Sequence, residues 1–180
     1  MELKDIKTIA VIGGGTMGSQ ISELLSYVGG YNVTQWSRTD ETVKRGIDAI
    51  ADRLKKFYVE KGKMTQAEMD QIMGRIKGTT SIEEAVKDAD LVMESAMERM
   101  DIKKDLFQKF DTFAPARAIL ATNTSQMNIS EIAAITKRPQ VVIGMHFFNP
   151  VSKMKLVEVV KGTVTSVSYT HLTLPTILLV

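Results

Sequence analysis

Apolar residues run almost unbroken through residues 8–12, the run ends in three glycines, and apolar positions then recur at helical spacing at Met17, Ile21, Leu24, Leu25 and Val28. A short unbroken run bounded by turn residues suits a strand buried on both faces, whereas the three-to-four spacing suits an amphipathic helix. Gly29 and Gly30 stop that helix, and residues 32–36 form a second strand, completing a strand–helix–strand unit of about thirty residues. Such a connection is right-handed and joins parallel strands.

From residue 40 to 61 the pattern stays helical but is rich in charge. Thr65 opens a further helix with Glu68 at the capping-box spacing. Together these segments predict a helical hairpin projecting from the sheet. Short apolar runs return at residues 91–93, 118–121 and 141–145, separated by helical stretches such as residues 101–110. Strand and helix in alternation define an α/β fold with a doubly wound, mostly parallel sheet.

With 180 residues, 44% of them hydrophobic, the chain suffices for one sizeable core. The formal charge is only +2, so no global field points to nucleic acid or a membrane surface as partner. The chain contains no cysteine, which excludes a disulfide framework, a thiolate zinc site and a cysteine nucleophile, and no metal is expected. The mixed charge of residues 1–5 does not resemble a signal peptide, and no apolar run reaches spanning length. The expected location is cytoplasmic.

Gly13-Gly14-Gly15-Thr16-Met17-Gly18 fits the spacing G-x-G-x-x-G and stands between the first strand and the first helix, where that spacing acquires physical meaning. Gly13 permits the tight turn, Gly15 lets the backbone approach a pyrophosphate, and Gly18 lets helix and strand pack closely. Free amides at the helix start, at Thr16 and Met17, meet the phosphates. The expectation is a Rossmann-type dinucleotide-binding domain. In such domains an acidic residue about 20 positions on ends the second strand and accepts hydrogen bonds from the ribose of NAD. Here that place falls to Ser37, followed by Arg38. Without a carboxylate nothing repels a 2′-phosphate, and a guanidinium offers it a fork of donors, so these residues read as NADP in preference to NAD. Asp40, two positions further on, keeps the NAD reading open.

Two later segments carry more polar chemistry than packing needs: Ala121-Thr122-Asn123-Thr124-Ser125, and Gly144-Met145-His146-Phe147-Phe148-Asn149-Pro150 with Met154-Lys155-Leu156-Val157-Glu158-Val159 behind it. Each follows an apolar strand. Ligands of open α/β sheets lie beyond the carboxyl ends of the strands, where Ser125 and His146 fall. Glu158 is far enough along for the chain to turn back and set a carboxylate beside the imidazole. A histidine held this way is oriented, fixed in one tautomer and stabilised on accepting a proton, which equips it to oxidise an alcohol.

These segments, together with Glu98-Arg99-Met100-Asp101-Ile102-Lys103-Lys104, resemble the amino-terminal domain of the 3-hydroxyacyl-CoA dehydrogenases, especially the bacterial 3-hydroxybutyryl-CoA branch, over about residues 5–164. The resemblance implies hydride transfer between a nicotinamide cofactor and an (S)-3-hydroxyacyl-CoA. His146 would take the 3-hydroxyl proton, Glu158 would orient His146, and Ser125 would hydrogen-bond the substrate oxygen. Asn149, Glu98 and Lys103 would lie around the cofactor. It also implies that coenzyme A phosphates meet the hairpin cations, among Lys44, Arg45, Arg53, Lys55, Lys56, Lys61 and Lys63. A second, helical domain, absent here, would supply a further asparagine, part of the acyl pocket and the homodimer interface. The chain departs from the family at Gln126, Ser152 and Ser37, where serine, proline and aspartate are usual, and only Ser37 bears on the chemistry.

Residues 166–180 contain no Asp, Glu, Lys or Arg. Val167 to Thr176 read as the translation of adapter DNA used in transposase-based sequencing libraries. The expected organisation is a dinucleotide-binding domain over 1–165 and a non-native tail over 166–180, with a genuine β-prone tail as the alternative. Two other functions stay open. One is an internal domain of a multifunctional β-oxidation protein, against which the start at Met1 speaks. The other is a non-catalytic dinucleotide-binding module. As a fragment, the chain is expected to bind a dinucleotide and turn over slowly or not at all.

Overall fold

The computed structural model describes residues 5–166, and the segment read as translated adapter lies outside the described residues. Among the described residues seven strands form one sheet in the order β3-β2-β1-β4-β5-β6-β7. β1 (Thr8–Ile12), β2 (Asn32–Trp36), β3 (Ile76–Thr79), β4 (Leu91–Glu94), β5 (Ile119–Thr122) and β6 (Val142–Phe147) run parallel, and β7 (Val157–Lys161) lies antiparallel to β6 at the far edge. The parallel strands follow the order of a doubly wound dinucleotide fold, which reverses direction between β1 and β4.

Side chains alternate across the sheet, so a strand covered on both faces must be apolar throughout. On one face Ile9 and Val11 of β1 pack with Ile21 of α1 (Thr16–Tyr27), Ile50 of α2 (Asp40–Leu54) and Ile72 of α3 (Gln66–Gly74). On the other, Ala10 and Ile12 pack with Val86 of α4 (Ile82–Val86), Phe107 of α5 (Met100–Phe113) and Ile132 of α6 (Ile129–Ala133).

The expected hairpin is α2 and α3, joined through a π-helical turn at Lys55–Val59, and the Thr65–Glu68 capping box forms as the spacing predicts. Only its tip projects. Leu54, Met64 and Met69, on either side of the connecting turn, are buried in the core, and both helices lie against α1. This covering explains why α1 buries Ser19, Ser22, Glu23 and Ser26 as well as the expected Ile21 and Leu25, while Val28 is exposed. Ser26 Oγ donates to the Ile72 carbonyl at 2.9 Å, and Arg53 Nε meets Glu23 Oε2 at 2.5 Å. Burial pushes the Glu23 carboxyl above its ordinary value, against the pull of Arg53.

β3 was not foreseen. It is a short edge strand without an apolar run, and its Gly78 lies under α2, where a Cβ would fall 2.3 Å from Val43 Cγ1. At the other end of the described chain, Thr165 Oγ1 donates to the Val142 carbonyl at 2.7 Å, so packing against β6 continues to that point.

Candidate active site

The turn after β1 begins with Gly13 at φ +122°, its amide donating to the Trp36 carbonyl at 2.9 Å. A Cβ on Gly13 would fall 2.4 Å from the Ser95 carbonyl oxygen, and one on Gly18 would fall 1.6 Å from that of Gly13, so neither position admits a side chain. At Gly15, by contrast, a Cβ would meet no atom of the described residues within 4 Å. α1 starts beside this opening with no side-chain cap and no acidic residue in its first turn, leaving its first amides to an outside acceptor. The residues present therefore fit a dinucleotide pyrophosphate.

A cleft of about 760 Å³ extends from this loop between the end of β2 and α5. Trp36, Ile102 and Leu106 line its apolar wall, and Ser37, Arg38, Thr42 and Arg45 its polar end. Trp36 pairs with Ile12, so Ser37 directly follows the last residue of β2, and its Oγ accepts the Gly14 amide at 2.9 Å. Asp40 opens α2 beyond the Thr39 cap, is exposed, and does not line the cleft. Arg45, grouped by sequence with the hairpin cations, faces this cleft instead. Lys44 pairs with Asp48 and Arg53 with Glu23, so the tip retains Lys55, Lys56, Lys61 and Lys63, with Lys56 and Lys61 over the Phe57 ring at 5.7 and 5.3 Å. Beneath the loop Gln35 is fully buried, and neither amide atom is hydrogen-bonded among the described residues.

A smaller pocket of about 320 Å³ is bounded by Gly15, Thr16, Met17, Glu98, Lys103 and Asn123, among others. Lys103 is 1% exposed. Its Nζ donates to both oxygens of Glu94 at 2.8 and 2.9 Å and lies 3.2 Å from Glu98 Oε2. Glu98 also accepts from Thr124 Oγ1, and Glu94 from the Ala96 amide and Thr122 Oγ1. Glu98 and Lys103 thus meet at this pocket, with the lysine charge held between carboxylates. Glu94 escaped the sequence reading, although an acid ending the apolar run Leu91-Val92-Met93 was the available signal.

His146 is the next-to-last residue of β6, and Glu158, the second of β7, is its register partner. Directly opposed residues of an antiparallel pair share a face, and Nδ1 of His146 stands 2.9 Å from Glu158 Oε2. With Nδ1 so occupied, Nε2 is the nitrogen left to take a proton. Asn123 Oδ1 accepts the Phe147 amide at 2.8 Å, tying the end of β5 to β6. Asn149 is exposed and accepts from Gln20 Nε2 at 3.2 Å, while Gln20 Oε1 takes the Val151 amide at 2.9 Å. Ser125 is exposed on the loop beyond β5, with no hydrogen bond to His146 or Glu158 among the described residues. Ser125 and Asn149 therefore share this end of the sheet without joining the pair.

A doubly wound sheet, a glycine loop open at its second key position and a phosphate-ready helix end define a dinucleotide-binding domain of the Rossmann class. Residues 8–176 match the family model described as 3-hydroxyacyl-CoA dehydrogenase, NAD binding domain, and the chain belongs to that family. It is 46% identical over 158 residues to a 3-hydroxybutyryl-CoA dehydrogenase of Clostridioides difficile, covering 88% of this chain and 55% of that protein. To a 3-hydroxyadipyl-CoA dehydrogenase of Escherichia coli it is 42% identical over 162 residues, covering 90% and 34%. The crystal structure of (S)-3-hydroxybutyryl-CoA dehydrogenase from Ralstonia eutropha superposes with a TM-score of 0.86 at 38% identity, over 91% of this chain and 56% of that one. The chain spans about half the length of the first curated relatives it matches. No helix among the described residues is long and apolar enough to cross a membrane.

Proposed function

We propose that the chain is the dinucleotide-binding half of an oxidoreductase that moves a hydride between a nicotinamide cofactor and an (S)-3-hydroxyacyl-CoA, with 3-hydroxybutyryl-CoA as substrate. The observation that carries this reading is the His146–Glu158 pair at 2.9 Å, at the carboxyl end of β6. Nε2 of His146 takes the 3-hydroxyl proton, and the Glu158 carboxylate holds the ring and stabilises the imidazolium that forms. Bound nicotinamide supplies the hydride acceptor. Ser125, whose hydroxyl is exposed, donates to the substrate oxygen. Gly13, Gly15 and Gly18 shape the pyrophosphate loop, the Thr16 and Met17 amides face the phosphates, and Glu98, Lys103 and Asn149 border the cofactor. The lysines of the hairpin tip meet coenzyme A phosphates, and the whole protein is a homodimer through its second domain.

For the cofactor we read NADP. Ser37 brings no carboxylate to the ribose end, Arg38 lines the same cleft, and Asp40 stands outside it. The family description favours NAD. Titration with NADPH and NADH at matched ionic strength separates the two.

The activity is tested by joining this domain to the carboxyl-terminal half of the C. difficile relative and following oxidation of (S)-3-hydroxybutyryl-CoA. His146→Gln should lower kcat by the roughly 10²–10⁴-fold that a general base supplies. A variant as fast as the parent would remove His146 from the mechanism and favour a binding module.

A further inference from the structure

Building on the NADP reading, we infer that Arg45 is a second guanidinium of the 2′-phosphate site, acting with Arg38 and the Ser37 hydroxyl. Its position is dictated by its neighbour. Gly46 is buried against the phosphate loop, where a Cβ would fall 2.9 Å from the Gly14 carbonyl oxygen and 2.3 Å from Gln35 Nε2. That contact presses α2 onto the loop and sets Arg45, one turn after Thr42, at the cleft's polar end. The charges there do not balance among themselves. Asp101 and Asp105 line the opposite wall, but Asp101 is paired with Arg99 at 2.5 Å and Asp105 with Lys109 at 2.7 Å. Asp40 and Glu41, in the first turn of α2, do not line the cleft. Among the described residues neither Arg38 nor Arg45 has an acidic partner within ion-pair distance, whereas the neighbouring Lys44 has Asp48. Two unmatched guanidinia beside a serine hydroxyl suit a phosphate monoester, which carries close to two negative charges and can accept both forks. The ribose diol of NAD offers no charge to meet them.

The test is calorimetric titration of this chain with 2′,5′-ADP and 5′-AMP, which carry the two ribose ends without the nicotinamide. The parent chain should prefer 2′,5′-ADP. Arg45→Gln should weaken that ligand by about tenfold while leaving 5′-AMP within about twofold, Arg45→Lys should lose less, and Lys44→Gln should change neither. Thermal melting of each variant checks that the exposed substitution leaves the fold intact. If the parent prefers 2′,5′-ADP and Arg38→Gln abolishes the preference while Arg45→Gln keeps it, the inference fails and the NADP reading stands. A parent without preference overturns both. Equal weakening of both ligands by Arg45→Gln would also overturn the inference, because it would mark Arg45 as structural.

Discussion

Gly15 and Gly18 are interchangeable letters in a spacing rule but occupy opposite environments. A methyl group on Gly18 would sit inside the Gly13 carbonyl, whereas one on Gly15 would stand in open space where a pyrophosphate must approach. Gly18→Ala should therefore lower the melting temperature sharply or prevent folding. Gly15→Ala should melt within a few degrees of the parent, a change of about 1 kcal/mol or less, yet lose nucleotide binding. Melting curves and a nucleotide titration on the same two proteins check this, and equal behaviour would show that the loop does not divide its glycines in this way. Ser37 makes the complementary point. Its identity carried the cofactor reading, but its place at the strand end became definite only through the pairing of Trp36 with Ile12.

At the scale of elements, β4, β5 and α5 meet in the ion pair of Lys103 with Glu94, both almost wholly buried. Exchanging one member for an apolar residue leaves the other charged and desolvated. Lys103→Met should cost about 3–5 kcal/mol of unfolding free energy, measured by denaturant titration, and adding Glu94→Gln should recover part of the loss. A single substitution near neutral would mean that water reaches the site. The sequence marked Lys103 through a resemblance to cofactor-contacting positions, whereas the carboxylate beneath it showed only as an acid closing the apolar run of β4, with nothing local to pair it with Lys103. Strong periodic signals, such as β1, α1 and the capping box at Thr65, were legible because they are local. β3 was not, because an edge strand of Ile76-Lys77-Gly78-Thr79 owes its conformation to β2 and to the helix above Gly78.

Over the whole molecule, Asp90 links segments far apart in the chain. It accepts the Lys7 and Thr8 amides at 2.9 and 3.1 Å and Arg117 Nε at 2.9 Å, joining the starts of β1 and β4 to the approach to β5. Burial pushes its carboxyl up, but those donors outweigh burial and hold it below its ordinary value. A depressed carboxylate contributes stability that is present above the unfolded-chain value, about 3.9 for Asp, and is lost as pH falls through the folded value. Asp90→Asn should therefore lower the melting temperature at neutral pH and flatten its fall below about pH 4. Parallel losses in parent and variant on acidification would assign the acid limb to other carboxylates.

By itself the sequence determined what depends on near neighbours: the alternation of elements, the glycine turn, the caps, and the polar residues placed just beyond apolar strands. It also placed Glu158 at a distance from which it could return to His146. Tertiary structure decided the rest. It made β7 antiparallel to β6 so that the two side chains face each other, turned Arg45 into the nucleotide cleft and away from the hairpin tip, and buried the polar face of α1 under α2 and α3. Those outcomes depend on which elements become neighbours, and neighbours are chosen by burial and hydrogen bonding summed over the whole chain, which no local window of sequence contains.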